Sequence, residues 1–353
     1  MTSSAGNSSA SALTSEAKLA ADLLLSVRNL KTYFFSREGT TKAVDGVSFD
    51  VKLGEILGIA GESGCGKSVT SQSILRILPQ GGKIVDGEIL FNYNGQIIDL
   101  ATVDADGRVM RKIRGKEIAM IFQEPMTALS PVHTIGDQII ETIRIHQSVS
   151  HEEARAQAIE TLRRVGMPSP ILNIDQYTFN LSGGMRQRAM VALALSCRPK
   201  LLIADEPTTA VDVTIQAQLM VLLREIQADL GMAIIMITHD LGVIAELADR
   251  ALIMYLGQEV ECGITEDIFN RPQHPYTRGL LRSLPRLVPG RSEIQPIAGT
   301  VPSAYELPTG CKFYPRCSDY IRGVCEKSFP PVTNIAPGHT VSCYLYGGRE
   351  LLN

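Results

Sequence analysis

The chain has 353 residues, 44% hydrophobic and 20% charged, with no Trp and a formal net charge of −3. This is ordinary globular composition, enough for one large domain and a smaller one. The near-neutral charge gives no electrostatic reason to expect nucleic acid as a partner. No apolar run approaches the roughly 18–20 residues of a membrane-spanning helix, so any membrane association must come through a partner.

Residues 1–22, MTSSAGNSSASALTSEAKLAAD, are rich in Ser and Ala and lack the basic start and apolar centre of a secretory signal. They read as a disordered tail, and a cytosolic compartment is expected, in which the seven cysteines are not expected to form structural disulfides. From Leu23 the alternation LLLSVRNLKTYFF predicts a strand. VSFDVKLGEILGIAGESG adds a strand, a turn at Leu53–Gly54 and a buried strand, EILGIA, running into a glycine loop. VTSQSILRILP has helical spacing and stops at a proline, and 136–166 reads as helical with Gly166 and Pro168 as stops. LLIAD (201–205) and MAIIMITHD (232–240) have the apolar character of parallel strands covered on both faces, with an amphipathic helix between them. The alternation predicts an α/β domain with a largely parallel sheet over 23–263, carrying a helical insert at about 125–180. After Gly263 prolines multiply (PQHPY, LPRLVPG, FPPV), so a boundary is placed near 264. Residues 264–353 form a loop-rich unit, of a size that usually needs a staple.

Chemistry gathers where buried strands end. GESGCGKS (61–68) matches G-x-x-x-x-G-K-[ST] between a strand and a helix, the context a P-loop requires. Gly61, Gly64 and Gly66 let the backbone curl so that successive N–H groups face a β-phosphate. Glu62, Ser63, Cys65 and Val69 complete the cradle, Lys67 supplies charge to the β- and γ-phosphates, and Ser68 offers a hydroxyl to Mg²⁺. Asp205, ending LLIAD, stands where open α/β sheets bind ligands and would hold the metal, while Glu206 can take a proton from an attacking water. His239 ends another core strand, and Gln123, after AMIF, carries an amide suited to Mg²⁺ or water. A second anion cradle without a lysine opens LSGGMRQR (181–188): Ser182, Gly183 and Gly184 stand at a helix start, with free N–H groups and the positive end of the helix dipole.

In this order the P-loop, Gln123, LSGGMRQR, Asp205–Glu206, TTAVD with Asp212, and His239 resemble the ATP-binding subunit of an ABC transporter over roughly 25–263. The resemblance implies a P-loop NTPase core of RecA type with an antiparallel N-terminal β portion and a helical subdomain carrying the signature. It also implies an aromatic from the first strand stacked on adenine: Phe34, with Tyr33 its close rival. Two cassettes would pack head to tail, the Ser182–Gly184 cradle of each meeting the γ-phosphate held by the other, so that no second lysine is needed. Glu206 would act as general base and His239 as γ-phosphate sensor. LSGGMRQR and Val211 depart slightly from the family wording, at groups that do not touch nucleotide directly.

GESGCGKSVT, IFQEPMTALSPVHTIGDQI, HPYTRGLLRSLP and IAGTVPSAYELPTGCKFYPRC resemble the bacterial dipeptide, oligopeptide and nickel importer ATPases. That branch implies ATP with Mg²⁺, a second ATPase (a paralogue), two permeases and an extracytoplasmic solute-binding protein, at the cytoplasmic face of the inner membrane. Peptide is the expected cargo; oligosaccharide or nickel stay open, TALSPVHTIG departs from the usual peptide-importer wording, and a soluble non-transport ATPase is the remote alternative. A permease helix would dock beside Gln123 and 126–145. Cys311, Cys317, Cys325 and Cys343 are spaced C-x5-C-x7-C-x17-C, unlike the C-x2-4-C pairs of zinc sites. Four thiolates suit a [4Fe–4S] cluster, which the resemblance favours, with zinc or plain thiols as alternatives and His339 as a less favoured extra ligand.

Overall fold

The alternation of LLLSVRNLKTYFF folds as strand β1 (Leu23–Ser36), paired antiparallel with β2 (Gly39–Lys52) across a turn at Arg37–Glu38. The computed structural model describes residues 22–123, 129–208, 213–283, 296–303 and 305–347. Residues 1–21 of the expected tail 1–22, Val211 and Asp212 therefore lie outside the described residues, while Asp22 stands in a turn and pairs with Lys52. β3 (Ile56–Ala60) is buried throughout and leads through the glycine loop into α1 (Lys67–Ile74). β4 (Gly82–Tyr93), β5 (Gln96–Asp99), α2 (Arg108–Ile113) and β6 (Ile118–Ile121) follow.

Next comes a helical run: α3 (Ile135–His146), α4 (His151–Arg164), α5 (Pro170–Asn173) and the signature helix α6 (Gly183–Leu195). Reciprocal capping boxes start α3 (Thr134 with Asp137) and α4 (Ser150 with Glu153), pairing donors that a helix start leaves open. β7 (Leu201–Asp205), α7 (Val213–Leu230), β8 (Ala233–Ile237), α8 (Leu241–Leu247), β9 (Arg250–Tyr255) and β10 (Gln258–Ile264) close the core. α9 (Thr265–Asn270), α10 (Pro275–Arg282) and a hairpin of β11 (Val332–Ala336) and β12 (His339–Ser342) complete the described chain.

The strands form two sheets. One is antiparallel, in the order β2-β1-β4-β5. The other runs β11-β12-β10-β9-β3-β8-β7-β6, parallel from β9 to β6 and antiparallel from β9 to β11. β3, β7 and β8 show no exposed residue, as parallel strands covered on both faces require. One core unites the two sheets, a second joins the main sheet to the helical run, and a third joins β3, β9 and β10 to the C-terminal region. That third core, with Ala60, Tyr255, Tyr276, Phe313 and Tyr344, sets the C-terminal region beside the glycine loop.

Candidate nucleotide site

β6, β3, β7 and β8 are mutually parallel, so their carboxyl ends share one edge of the sheet. Each delivers a motif there: Gln123 after β6, Gly61 after β3, Asp205–Glu206 at β7 and His239 after β8. This is the ligand-binding edge of an open α/β sheet. Two glycines of the loop, Gly61 and Gly66, are required sterically, while Gly64 is favoured by its φ of +78°. Gly66 has φ +101° and a Cβ there would stand 2.3 Å from the Ala43 carbonyl oxygen; at Gly61 it would stand 2.2 Å from that of Met254. The buried Lys67 ammonium donates to the carbonyls of Gly61 (2.8 Å) and Glu62 (3.1 Å), curled within its own loop. Cys65 is buried beside it, its Sγ 3.8 Å from Nζ.

Ser68 Oγ donates to Asp205 Oδ1 at 3.0 Å, bringing together the two groups expected to hold Mg²⁺. Burial pushes the Asp205 carboxyl up to about 6, against the pull of the Ser68 hydrogen bond. A hydroxyl and a carboxylate are the oxygen donors a hard cation takes, with substrate phosphates supplying the rest. Glu206 adopts φ +46°, a left-handed conformation rare for a non-glycine residue and concentrated at functional sites. Its Oε2 accepts from Gln123 Nε2 at 2.9 Å, and its Oε1 lies 3.4 Å from His239 Nδ1. Residues from three strands thus meet on one carboxylate, next to the Ser68–Asp205 pair.

Ser182 caps α6, its Oγ accepting from the Met185 N–H at 3.3 Å, and Gly183 and Gly184 open the helix. Ser182 and Gly183 are exposed, and a Cβ on Gly183 would meet nothing within 4 Å. α6 packs on β6, α3 and α4, whereas α1 packs on β1, β2 and β7, so the two cradles have different surroundings. The rival aromatics also diverge. Tyr33 donates through its hydroxyl to Asp45 Oδ1 at 2.7 Å and lies under the Lys42 ammonium, while Phe34 sits against Gly82.

Sequence reasoning assigned no role to Tyr276, Arg316 and Lys312. The Tyr276 hydroxyl and the Arg316 guanidinium both engage Glu62, and Lys312 pairs with Asp45 at 3.1 Å. They lie within HPYTRGLLRSLP and IAGTVPSAYELPTGCKFYPRC, two of the strings that carry the resemblance to importer ATPases. His274 of HPYT caps α10 by accepting from the Tyr276 N–H, and burial drives its imidazole down to about 3.

Comparisons with known proteins agree with this geometry. The profile of the ABC transporter family matches residues 44–209, and that of the oligopeptide/dipeptide transporter C-terminal region matches 260–325. A probable peptide ABC transporter ATP-binding protein, y4tR of Sinorhizobium fredii, is 52% identical over 92% of this chain and 95% of its own length. The chain belongs to the ATP-binding subunits of ABC transporters. The dipeptide transport ATP-binding protein DppD of Bacillus subtilis is 49% identical over 92% of this chain and 96% of that one. The oligopeptide transport ATP-binding protein AppD of the same organism is 48% identical over 92% and 97%. Among solved structures, the ABC cassette MJ0796, in a dimeric post-hydrolysis state bound to ADP and Pi, aligns with a TM-score of 0.60 at 26% identity. It covers 69% of this ABC subunit and 99% of the cassette. CbiO1 of Clostridium perfringens, part of the transporter complex cbiONQ, aligns at 0.59 with 29% identity, over 71% and 92%. Among the described residues no helix is long and apolar enough to cross a membrane.

The four tail cysteines of this ABC subunit, all free, line one small pocket together with His274 and Phe313. Burial pushes the thiols of Cys311 and Cys317 up to about 12 and about 11, and the neighbouring thiols add to it. His339 is engaged elsewhere, its Nε2 2.9 Å from Glu261 Oε1. Among the described residues no group of three or more His, Cys, Asp or Glu is arranged to hold a metal ion. The expected cluster and the alternative zinc thus lack support in the geometry, and what the structure shows is four thiols lining one pocket.

Proposed function

We propose that this chain is the ATP-hydrolysing subunit of a multi-component importer that energises peptide uptake, working at the cytoplasmic face of a bacterial inner membrane. The observation that carries the reading is the meeting of Gln123 and His239 on Glu206, beside Ser68–Asp205, in a chain whose relatives are named for peptide transport across nearly their full length. The P-loop amides and Lys67 bind the phosphates, and Ser68, Asp205 and Gln123 would hold Mg²⁺, whose chemistry is to neutralise developing phosphate charge. Glu206 accepts the proton of the attacking water, Gln123 contacts that water, His239 senses the γ-phosphate, and Phe34 carries adenine. The cradle Ser182–Gly184, exposed at Ser182 and Gly183, completes the site of a second ATPase subunit, a paralogue. ATP then joins the two subunits, and loss of the γ-phosphate parts them.

Two permeases and a solute-binding protein complete the importer. A groove lined by Leu75, Ile77, Ile118, Met120, Phe122 and Leu193 opens beside Gln123 and supports docking of a permease helix there. Cys311, Cys317, Cys325 and Cys343 would hold a [4Fe–4S] cluster, which would staple the loop-rich C-terminal region.

Glu206→Gln should retain ATP binding, lose turnover and accumulate an ATP-bound dimer; normal turnover would refute the assignment. Uptake of labelled dipeptides, set against disaccharides and nickel in the reconstituted importer, tests the cargo. Iron and acid-labile sulfide assayed on anaerobically purified protein test the cluster, and stoichiometric zinc without sulfide would sink it.

A further inference from the structure

The second residue of the P-loop is gripped twice by the C-terminal region. Arg316 donates from Nη1 to Glu62 Oε2 at 2.7 Å and from Nη2 to Oε1 at 3.1 Å, a bidentate pair. The Arg316 side chain is 4% exposed. Its guanidinium stands 5.8 Å from the Tyr255 ring centroid and 6.0 Å from that of Phe313, Nε donates to the Ala298 carbonyl (3.1 Å), and Nη1 also donates to the Tyr255 hydroxyl (3.2 Å). Independently, the Glu62 backbone N–H donates to the Tyr276 hydroxyl at 2.9 Å. Tyr276 is fully buried, its ring packed on Tyr255 and Phe313.

A salt bridge that merely fastened the C-terminal region could sit anywhere on the core. This one holds both the side chain and the main chain of Glu62, whose carbonyl receives the Lys67 ammonium at 3.1 Å. Phosphate binding depends on the aim of consecutive loop amides, and a loop fixed in advance loses less freedom when ligand arrives. A planar guanidinium anchored on two rings fixes a carboxylate in direction as well as distance.

We propose that Arg316 and Tyr276 are positioning residues for the P-loop, through which the C-terminal region sets the affinity of the cassette for ATP. The proposal rests on the nucleotide-site reading above.

The test uses the full-length chain, with a fluorescent ATP analogue for binding and steady-state ATPase for KM and kcat. Arg316→Ala should raise the dissociation constant and KM for ATP roughly 5- to 30-fold, with KM rising by more than kcat falls. Arg316→Lys should restore only part of this, because an ammonium cannot make the two-pronged contact. Glu62→Gln should weaken binding similarly, and the double variant should be no worse than the poorer single one, as expected for two ends of one interaction. Tyr276→Phe, which removes only the hydroxyl, should act in the same direction and serves where Arg316→Ala does not fold. Nucleotide affinity unchanged in Tyr276→Phe and in folded Arg316→Ala, with only the melting temperature lowered, would overturn the proposal. So would full additivity of Arg316→Ala and Glu62→Gln. Lys67→Ala separates the two levels: if it binds nucleotide like the parent, the site reading itself fails, whatever Arg316 does.

Discussion

Glu206 is met by two side chains that the sequence sets far apart, Gln123 and His239, the ends of a stretch of 117 residues. Its motif is readable from the chain, but its left-handed backbone and its contacts are not. Glu259 shows the opposite case, a carboxyl with no motif at all. It is buried on β10, accepts from the Ser48 N–H and the Thr340 hydroxyl (each 3.4 Å), and faces Arg250 and Asp50. Burial drives its pKa up from 4.5 to about 7, so folding favours the protonated form. Its contribution to stability is therefore complete below the unfolded value and is lost as pH rises through about 7. Glu259→Gln keeps an acceptor for Ser48 and cannot ionise. Urea unfolding of both proteins between about pH 5 and about pH 8 should show the variant gaining on the parent, at no more than ~1.4 kcal/mol per pH unit. Parallel curves would show that Glu259 does not titrate there.

Helix starts are set by local chemistry. S-H-E-E before α4 and T-I-G-D before α3 form the capping boxes seen in the structure. Ser150→Ala should cost about 1 kcal/mol, measured as a shift of the unfolding midpoint with an unchanged denaturant slope. A shift below about 0.3 kcal/mol would mean that neighbouring packing alone fixes the start of α4. Parallel strands were visible because complete burial leaves an unbroken apolar run in β3, β7 and β8. The hairpin β11–β12 had no such signature. VTNIA is alternately exposed and half-buried, and it joins the main sheet only because β12 finds the free edge of β10.

For the whole molecule, the placement of the two cradles decides the mechanism. α1 and α6 rest on different elements, and the start of α6 is exposed at Ser182 and Gly183. With Glu206→Gln blocking turnover, light scattering should report a mass near twice that of the chain with Mg·ATP and the single mass with ADP. A single mass in both would refute a site shared between subunits. The same scale governs the cysteine pocket, which draws Cys311 and Cys343 together across 32 residues. If those thiols hold a group, Cys317→Ser should lower the melting temperature by several degrees and abolish the bound iron together; iron content unchanged would exclude Cys317 as a ligand.

What the sequence determined by itself was whatever depends on near neighbours. It set the P-loop with its glycines and lysine, the strand-terminal acids, the signature start and the α/β alternation, because a few adjacent residues settle backbone geometry and local hydrogen bonds. Only the tertiary structure decided which side chains share a carboxylate, which aromatic faces Gly82 and which faces Asp45, and that Arg316 and Tyr276 reach Glu62 from about 210 to 250 residues away. Those contacts arise from the burial of the third core against β9 and β10, and long-range packing of that kind leaves no periodic trace in the chain.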